Sequence, residues 1–291
     1  MRILTVVNNE NPQAIDASML LAAYFASQGI ENQVVSAPNV PTPEQLASGS
    51  LQDASIEPFD MAVALGGDGT ILRTARAAIM CDAPVMGINF GHLGFLANPC
   101  EPGVIPLVAA ALAGDVTEDR RTNLLVEVVC EGDEETDLEE RGLRMFTALN
   151  EVTITRGSCP RNLETQVDIS GDTVCTLRGD GVIVATATGS TAYALSAGGP
   201  LISPSMRGMV VVPLATHTLQ SRAIVADHND VVETSFDFAE GYTFAEVQLD
   251  GTALSFATPI ERVIVRCSDE PARLLFHKKE SFYSRIARTF F

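Results

Sequence analysis

The sequence predicts an α/β domain with a parallel sheet, followed by an all-β domain that is a sandwich or a Greek key. Strand and helix signals alternate over the first ~118 residues, whereas short β-rich runs between turn signals follow Thr122. Of the 291 residues, 46% are hydrophobic and 19% are charged, so the chain can bury a sizeable core and is not disordered as a whole. We expect the join between the two domains near Gly114–Thr122.

The predicted elements of the first domain alternate in type. Its strands are short apolar runs, and its helices carry apolar residues three and four positions apart. Gly29 ends the first helix. Because helices separate the strands, we expect a parallel sheet covered on both faces. In chain order the elements are the strand Ile3–Val7, the helix Ala14–Gln28, the strand Met61–Leu65, the helix Ile71–Met80 and the strand Pro84–Asn89.

The second domain is predicted from β-rich runs that are typical of an antiparallel all-β unit. After them, the last 30 residues hold seven of the nineteen positive charges, interleaved with Phe and Tyr. This pattern predicts an amphipathic C-terminal helix that packs on the body of the protein. The predicted strands are Leu124–Cys130, Thr147–Thr155, Thr165–Ile169, Val182–Thr186, Met209–Val212, Val231–Phe238, Thr243–Leu249 and Arg262–Arg266.

Composition excludes several classes of protein. The net charge of −18 weighs against binding to nucleic acid or to an acidic membrane, because both need a basic face. Lys278 and Lys279 are the only lysines in the sequence, which excludes a Walker P-loop and disfavours a Schiff-base mechanism. The opening residues lack the apolar run of a signal peptide, and no apolar stretch reaches the ~18 residues of a membrane helix. The six cysteines include no CxxC pair, which predicts reduced thiols in a cytoplasmic protein.

An acidic segment stands out at Glu131–Glu140, where seven of ten residues are carboxylates. The acidic positions lack the spacing of an EF-hand and its glycine. We therefore interpret the segment as a solvated hairpin tip rather than as a metal site.

The glycine-rich segment Gly66-Gly67-Asp68-Gly69-Thr70 lies where a predicted strand ends and a helix begins. In open α/β sheets this is where ligands bind. Glycines let the backbone approach an anion, and the N–H groups of the helix N-terminus favour a phosphate. A carboxylate beside a phosphate repels it unless it accepts a proton or holds a metal, so Asp68 predicts phosphate chemistry with a built-in base. The alternative is an ordinary turn in which Asp68 caps the helix.

Further polar groups follow strands of the second domain. Asp180–Tyr193 runs from a strand into a turn rich in hydroxyls, and Ser196–Pro200 closes a short helix. Such a turn can hold phosphate or ribose oxygens, or it can be purely structural. Asn150-Glu151, which we place inside the strand Thr147–Thr155, suits ribose hydroxyls, although a solvated strand position is the simpler interpretation. Asp250-Gly251 predicts a hairpin turn.

Four segments, in matching order and spacing, resemble the NAD kinases. The resemblance covers nearly the whole chain. Diacylglycerol-type lipid kinases and phosphofructokinases carry loops similar to the first segment, whereas the last segment is long and specific. The matching segments are Gly66-Gly67-Asp68-Gly69-Thr70, Gly87-Ile88-Asn89-x-Gly91-x-Leu93-Gly94-Phe95-Leu96, Asn150-Glu151 and Asp180–Pro200.

The resemblance implies transfer of the terminal phosphate of ATP to the 2′-hydroxyl of the adenosine ribose of NAD, which gives NADP. Some members of the family also use inorganic polyphosphate. The resemblance also implies a divalent metal, usually magnesium, whose ligands in this chain are unknown, and a homodimer or homotetramer. It further implies a Rossmann-like domain over residues 1–120, an NAD-binding β domain over 121–268, and a segment over 269–291 that packs back on the first domain.

By this match, Asp68 contacts NAD and is the general base that activates the 2′-hydroxyl, and Asp250 is a second carboxylate near the reacting centre. Asn150 and Glu151 are expected to hold ribose hydroxyls, and Asp180 to accept hydrogen bonds. Phosphate contacts are expected at Gly66, Gly67, Gly69 and Thr70. The other residues expected to bind NAD are Gly69, Arg73, Phe95 on the adenine side, Arg161, Arg178, Thr191, Ala192, a stacking Tyr193, Ser196, Ala215 and Thr252.

The chain departs from the family pattern at three positions. Ala187 stands where the family usually has proline, and Thr216 and Ala223 replace common prolines around His217 and Arg222. Loss of proline loosens a turn but removes no functional group. We expect these departures to affect substrate preference rather than the reaction.

Two other functions compete with this one. A lipid kinase of the diacylglycerol type shares the first segment, but the acidic chain and the match over Asp180–Tyr193 argue against it. A non-catalytic regulator that binds NAD or NADP is disfavoured by the presence of Asp68, and a purely structural α/β protein by the four matched segments. The sequence leaves open ATP or polyphosphate as donor, NAD or NADH as acceptor, and dimer or tetramer.

Overall fold

The computed structural model of the chain describes residues 1–47, 56–91, 94–133, 144–158, 161–217, 221–236 and 245–291. These residues form two compact units. The first unit comprises Met1–Pro41, Ser50–Arg121 and Pro271–Phe291, and the second comprises Thr42–Gly49 and Thr122–Glu270. Outside the described residues lie most of the acidic segment predicted as a hairpin tip, Leu93, Cys159, and the ends of two predicted strands at 237–238 and 243–244.

The described ranges contain six α-helices and nineteen strands. The helices are α1 (Pro12–Ser27), α2 (Pro43–Ala47), α3 (Asp68–Ile79), α4 (Val104–Leu112), α5 (Tyr193–Ser196) and α6 (Phe282–Phe290). The first ten strands are β1 (Arg2–Val7), β2 (Glu31–Ser36), β3 (Met61–Leu65), β4 (Val85–Asn89), β5 (Asn98–Pro99), β6 (Thr117–Arg121), β7 (Leu124–Cys130), β8 (Met145–Ala148), β9 (Glu151–Thr155) and β10 (Leu163–Ile169). The others are β11 (Asp172–Gly179), β12 (Gly181–Thr186), β13 (Gly208–Leu214), β14 (Ile224–Asp227), β15 (Val231–Phe236), β16 (Glu246–Leu249), β17 (Thr252–Ala253), β18 (Ile260–Cys267) and β19 (Ala272–Phe276).

The first unit is built on a seven-stranded sheet in the order β2-β1-β3-β4-β19-β6, with β5 paired to β4. Strands β1 to β5 pair in parallel, and β19 pairs in parallel with β4 and antiparallel with β6. The predicted parallel sheet is therefore confirmed. Its last strand in the sequence, β19, is inserted between two strands that come far earlier in the chain.

Both faces of this sheet are covered. On one face Ile3, Val63 and Ile88 pack in a common core with α1 and α4. On the other face, Gly87 of β4 lies so close to α3 that an added Cβ would be 2.3 Å from Ile71 Cδ1. Because both faces are buried, β3 is a continuous apolar run rather than an alternating one.

The second unit contains two six-stranded antiparallel sheets, β11-β10-β15-β18-β7-β8 and β14-β13-β12-β9-β16-β17. Their facing residues form one core, to which β12 contributes Val182 and Val184. The alternate residues Ile183 and Ala185 of the same strand pack into a second core on the far face of the sheet. The unit is thus a β-sandwich with an added layer on one sheet, and the predicted fold class is confirmed.

The prediction of a single strand over Thr147–Thr155 is wrong. Strand β8 ends at Ala148 and pairs with β7 in one sheet, whereas β9 begins at Glu151 and pairs with β12 and β16 in the other. Leu149 and Asn150 form the corner between the sheets. The corner contains no Gly or Pro, so the alternating pattern continues through it without a break. Asn150 and Glu151 are both buried, so the expectation of a solvated strand position is also wrong.

Several further elements differ from the predictions. Helix α3 begins at Asp68, three residues before the predicted start. The apolar pattern did not predict β2, β6, β11, β14 or β19. Strand β6 has the sequence Thr-Glu-Asp-Arg-Arg and no apolar residue, because it lies at the edge of its sheet. Strand β11 is also an edge strand and is mostly exposed.

Candidate active-site residues

The turn between β3 and α3 is the glycine-rich segment predicted to bind phosphate. Gly66 and Gly67 form the whole connection, since α3 begins at Asp68. An added Cβ at Gly66 would lie 2.5 Å from Thr70 Oγ1, whereas Gly67 and Gly69 face open space. The N–H groups of the first helical turn have no intrahelical partners, and the helix dipole favours an anion there. The open backbone of two glycines therefore lies where a phosphate is best received.

Asp68 does not cap its own helix, so the alternative based on capping is wrong. The cap residue is Gly67, and no side chain caps the helix. The Asp68 carboxylate instead accepts the N–H of Phe95 at 2.8 Å and the N–H of Leu96 at 3.3 Å. Gly94 makes this approach possible, because an added Cβ there would lie 2.2 Å from Asp68 Oδ2. Two backbone donors therefore fix the orientation of this carboxylate.

The surroundings of Asp68 act on its charge in opposite directions. Burial raises the pKa of Asp68 above its ordinary value. The N–H groups of Phe95 and Leu96 lower it, and so do the charges of Arg285 and Arg121. A carboxylate that is partly removed from water but still supported in its charged form is suited to accept a proton from a substrate.

Two other predicted residues of the first unit, Arg73 and Phe95, come after Asp68 in the sequence. Arg73 lies exposed on α3, one helical turn after Gly69. The Phe95 ring is half-buried and stacks on Phe290 of α6 with centroids 5.9 Å apart, and it also lies 6.4 Å from the ring of Phe282. The segment around Phe95, whose N–H groups bind the Asp68 carboxylate, is therefore packed against α6.

In the second unit, the corner at Leu149 and Asn150 is held by Asp250. One Asp250 oxygen accepts the N–H of Leu149 at 3.0 Å, and the other accepts those of Asn150 at 2.8 Å and Glu151 at 3.2 Å. Asp250 and Gly251 have φ of 47° and 75° and connect β16 to β17, which confirms the predicted hairpin turn. The hairpin thus carries an anchor for a backbone segment 100 residues earlier.

Within the described ranges, Glu151 is a buried acid with no ion-pair partner. Its side chain is 7% exposed, and among the described residues its Oε2 has no hydrogen-bond partner. Burial and the neighbouring Asp250 charge raise the pKa of Glu151 to about 8. At neutral pH this group is therefore a neutral acid that can donate as well as accept a hydrogen bond. A buried polar atom with no partner marks a place where a polar ligand group fits.

Asp180 lies at the start of the hydroxyl-rich segment and forms a pair that the sequence analysis missed. Arg156 Nε, just after β9, donates to Asp180 Oδ1 at 2.6 Å, and the Arg156 N–H donates to the Asp180 carbonyl at 3.0 Å. Both side chains are partly exposed. Arg156 belongs to none of the recognised segments, so only the strand pairing places it beside Asp180.

The hydroxyl-rich turn uses several of its hydroxyls on itself. Thr186 Oγ1 donates to the Leu149 carbonyl at 2.6 Å and accepts the Gly189 N–H at 3.1 Å. Ser190 Oγ, fully buried, bonds to the Ala187 carbonyl at 2.7 Å. These hydroxyls stabilise the turn and tie it to the corner at Leu149.

The remaining predicted residues of the second unit lie at or near its surface. Tyr193 is 48% exposed at the start of α5. Thr191, Ala192 and Thr252 are half-buried, and Arg161, Arg178, Ser196 and Ala215 are exposed. Ala215 has a φ of 43°, a left-handed conformation that is uncommon for a residue other than glycine.

The divalent ion expected from the resemblance needs side chains or substrate groups that can bind it. Within the described ranges, no group of three or more His, Cys, Asp or Glu is placed to hold a metal ion. Magnesium usually keeps several waters and binds one or two carboxylates together with substrate phosphates. The residues present therefore fit an ion that is bound mainly by substrate phosphates, rather than an ion held by protein ligands alone.

In the part of the chain that the structure describes, no helix is both long and apolar enough to cross a membrane.

Comparison with known proteins matches both units to one family. The family profile of the ATP-NAD kinase N-terminal domain matches residues 4–116, and that of the ATP-NAD kinase C-terminal domain matches residues 149–276. The NAD kinase of Heliobacterium modesticaldum is 31% identical over 288 residues, which are 97% of this chain and 95% of that protein. The NAD kinase of Chlorobium luteolum is 32% identical over 295 residues, or 99% of this chain and 96% of that one.

Solved structures agree with these matches. The yeast NADH kinase in complex with NADH is 20% identical with a TM-score of 0.80, covering 99% of this chain and 87% of that one, and it supports the fold alone. An NAD kinase from Archaeoglobus fulgidus in complex with ATP is 26% identical with a TM-score of 0.69, covering 100% of this chain and 97% of that one. With both family profiles matched and relatives above 30% identity along nearly its full length, the chain belongs to the NAD kinase family.

Proposed function

We propose that this chain transfers the terminal phosphate of ATP to the 2′-hydroxyl of the adenosine ribose of NAD, giving NADP and ADP. Membership of the NAD kinase family makes it a phosphotransferase with an alcohol group as acceptor. The observation that carries the assignment to residues is the Asp68 carboxylate, fixed by two N–H donors at the opening of α3.

Asp68 is the general base in this proposal. A ribose hydroxyl is a poor nucleophile, so a base that accepts its proton assists attack on phosphorus. The 2′-oxygen forms a bond to the terminal phosphorus, the bond from that phosphorus to the bridging oxygen breaks, and ADP leaves with the bond electrons. The proton passes to an Asp68 oxygen. The partial burial that raises the Asp68 pKa makes the carboxylate a better base than an exposed aspartate.

The donor phosphates are received at the N-terminus of α3 in this proposal. Gly67 and Gly69 offer backbone that no neighbouring atom crowds, and Gly66 and Thr70 hold the shape of the turn. Arg73, exposed one turn further along the helix, supplies a positive charge. Because the only lysines lie at 278–279, N–H groups and arginine take the part that a P-loop lysine plays elsewhere.

NAD is held, in this proposal, by the second unit and by residues beside Asp68. Asn150 and the neutral acid Glu151 bind ribose hydroxyls, since together they offer both donors and acceptors. Asp180 accepts hydrogen bonds, and Asp250 holds the corner that presents Asn150 and Glu151. A direct catalytic role for Asp250 stays a prediction. The other proposed NAD contacts are Gly69, Arg73, Phe95, Arg161, Arg178, Thr191, Ala192, Tyr193, Ser196, Ala215 and Thr252.

A divalent metal, which we take to be magnesium, completes the proposal. When bound, it neutralises charge on the phosphates of the donor. Asp68 is not assigned to that ion, because in this proposal its carboxylate accepts the proton of the ribose hydroxyl; the ion is bound mainly by the donor phosphates and water. Use of polyphosphate and assembly into a homodimer or homotetramer stay predictions from the resemblance.

The test is an assay with NAD, ATP and magnesium in which NADP is detected by an NADP-specific dehydrogenase. Asp68→Asn should retain NAD binding but lose on the order of 10²–10⁴ in turnover, the usual contribution of a general base. Asp82→Asn is a matched control, since Asp82 is an exposed aspartate of the same unit and asparagine tolerates its left-handed φ of 46°. Near-normal turnover in Asp68→Asn would remove Asp68 from the role.

Two parallel measurements separate the competing functions. Polyphosphate and NADH replace ATP and NAD in further wells and report donor and acceptor preference. Calorimetric binding of NAD without NADP formation from any donor would favour a dinucleotide-binding regulator. Phosphorylation of diacylglycerol with no activity on NAD would favour a lipid kinase.

A further inference from the structure

Helix α6 buries an arginine. Arg285 is 7% exposed and is the buried residue of this helix, whereas Tyr283 and Arg288 are largely exposed. An amphipathic helix ordinarily buries apolar side chains, and burial of a guanidinium is costly unless its donors are used. The contacts of Arg285 therefore indicate which part of the protein this helix stabilises.

Those contacts connect Arg285 to Gly94, at the start of the segment whose N–H groups bind the Asp68 carboxylate. Arg285 Nη1 donates to the Gly94 carbonyl at 3.1 Å, and its Nε donates to Glu280 at 3.3 Å. The Gly94 carbonyl and the Phe95 N–H belong to one peptide group. The carbonyl end of that group accepts from Arg285 while its N–H end donates to Asp68 at 2.8 Å.

A hydrogen bond at one end of a peptide group strengthens the bond at the other end, because each bond polarises the group in the same direction. The positive charge of Arg285 adds to this effect on the carbonyl oxygen. The aromatic contacts of Phe95 with Phe282 and Phe290 attach the same turn to the same helix a second time. Helix α6 therefore holds the Gly94–Phe95 segment at two points, through the Gly94 carbonyl and through the Phe95 ring.

We propose that Arg285 is a positioning residue for catalysis, which fixes the Gly94–Phe95 peptide group so that its N–H orients the Asp68 carboxylate. The inference rests on the proposed function, in which Asp68 is the base. The charged groups that face Asp68 are Arg285 and Arg121, which are themselves paired with Glu280 and Asp119.

The test compares Arg285→Gln with Arg285→Lys and with the control Arg288→Gln. Arg288 lies on the same helix and bonds the same Glu280, but it is exposed. Arg285→Gln should lower kcat by on the order of 10–100-fold, because small misplacement of a reacting group is costly, and should leave KM for NAD and ATP within about threefold. Arg285→Lys keeps the charge but places its donors on a single nitrogen, so it should recover part of kcat. Arg288→Gln should keep wild-type kcat.

A second measurement is independent of activity. Hydrogen exchange at the Phe95 and Leu96 amides, both of which donate to Asp68, should be faster in Arg285→Gln and unchanged in Arg288→Gln. If Arg285→Gln folds poorly, Arg285→Lys carries the same comparison with a smaller expected change.

Two results would overturn the proposal: wild-type kcat and wild-type exchange in Arg285→Gln, or equal losses in Arg285→Gln and Arg288→Gln. Failure of the proposed function is distinguishable, because it would show as no NADP formation by the wild type. The exchange measurement would then still decide whether Arg285 fixes the peptide group.

Discussion

Burial raises the pKa of both Asp68 in the first unit and Glu151 in the second, but the other groups around the two acids act on their pKa in opposite directions. Asp68 receives two backbone N–H groups and the charges of two arginines, all of which lower its pKa against the effect of burial. Glu151 has a buried oxygen without a partner among the described residues, and its neighbour Asp250 raises its pKa further, to about 8.

This difference assigns different tasks to the two groups. The first unit supports a charged carboxylate, which can accept a proton, whereas the second keeps an acid neutral, which can donate a hydrogen bond. Opposed environments of two titratable groups are a general way to separate a base from a binding or acid group at one pH. The charge states of the two residues, rather than burial alone, should therefore distinguish their variants.

The largest effect expected is on stability in Glu151→Gln. With a pKa of about 8 against an ordinary value of 4.5, folded Glu151 keeps a proton that the unfolded chain releases, so stability falls as pH rises through this range. Wild type should therefore lose up to about 4 kcal/mol relative to Glu151→Gln between pH 5 and 8. Denaturant unfolding at several pH values measures this loss, with exposed Glu164→Gln as control. Parallel pH dependence of wild type and Glu151→Gln would show that Glu151 is ionised.

The second effect concerns the space around Asp68. Gly94→Ala places a methyl group where the Asp68 carboxylate lies, so the carboxylate must move away from its two donors. We expect turnover to fall about 100-fold, with KM for NAD little changed. In the Asp68→Asn background the same change should cost much less, since both act through one group. Additive losses in the double variant would separate Gly94 from Asp68.

The third effect is a loss of stability when Asp250, which holds the corner at Leu149 and Asn150, is replaced. Asp250→Asn keeps a residue that tolerates the left-handed turn, but its amide NH₂ faces an N–H where a carboxylate oxygen had accepted one. Stability should fall by about 1–3 kcal/mol, the cost of a buried unsatisfied group. Because the neighbouring charge is gone, the pKa of Glu151 should also fall, which an NMR titration would follow. An unchanged Glu151 titration would leave burial as its sole cause.

The smallest effect is the acid limb of activity. Asp68 must be ionised to accept a proton, and burial raises its pKa from the ordinary value of 3.8. The rate kcat should therefore decline about tenfold per pH unit below the pKa of Asp68, and this limb should begin above the pH expected for an exposed aspartate. The residual activity of Asp68→Asn should lack the limb. A limb that persists in this variant would belong to another group.

Elements with a local signature could be predicted from the sequence. The strand Met61–Leu65 was predicted with the bounds it has, because a buried parallel strand is a continuous apolar run. The glycines after it, and the hairpin at Asp250-Gly251, were identified because their backbone chemistry is local. The strand ends at the corner near Leu149 were not, because Asp250 holds that corner from 100 residues away.

The partners of the candidate site residues were also beyond prediction. Nothing local connects Asp68 with amides 27 and 28 residues later, or Gly94 with Arg285, 191 residues further along the chain. The resemblance gives Asp68 a role, but it does not show the groups that change its pKa. Arg156 is likewise absent from every recognised segment, and its position beside Asp180 follows from the pairing of β9 with β12.

The insertion of β19 between β4 and β6 has a consequence for co-translational folding. Roughly 150 residues separate the end of β6 from the start of β19, and at ordinary rates of translation they take roughly 10–30 s to emerge. During that interval β4 and β6 have no strand between them to pair with, and an open sheet edge is a template for unwanted pairing. The first unit to be translated is therefore the last to be completed, and nascent chains should need protection by chaperones until the final strand closes the sheet.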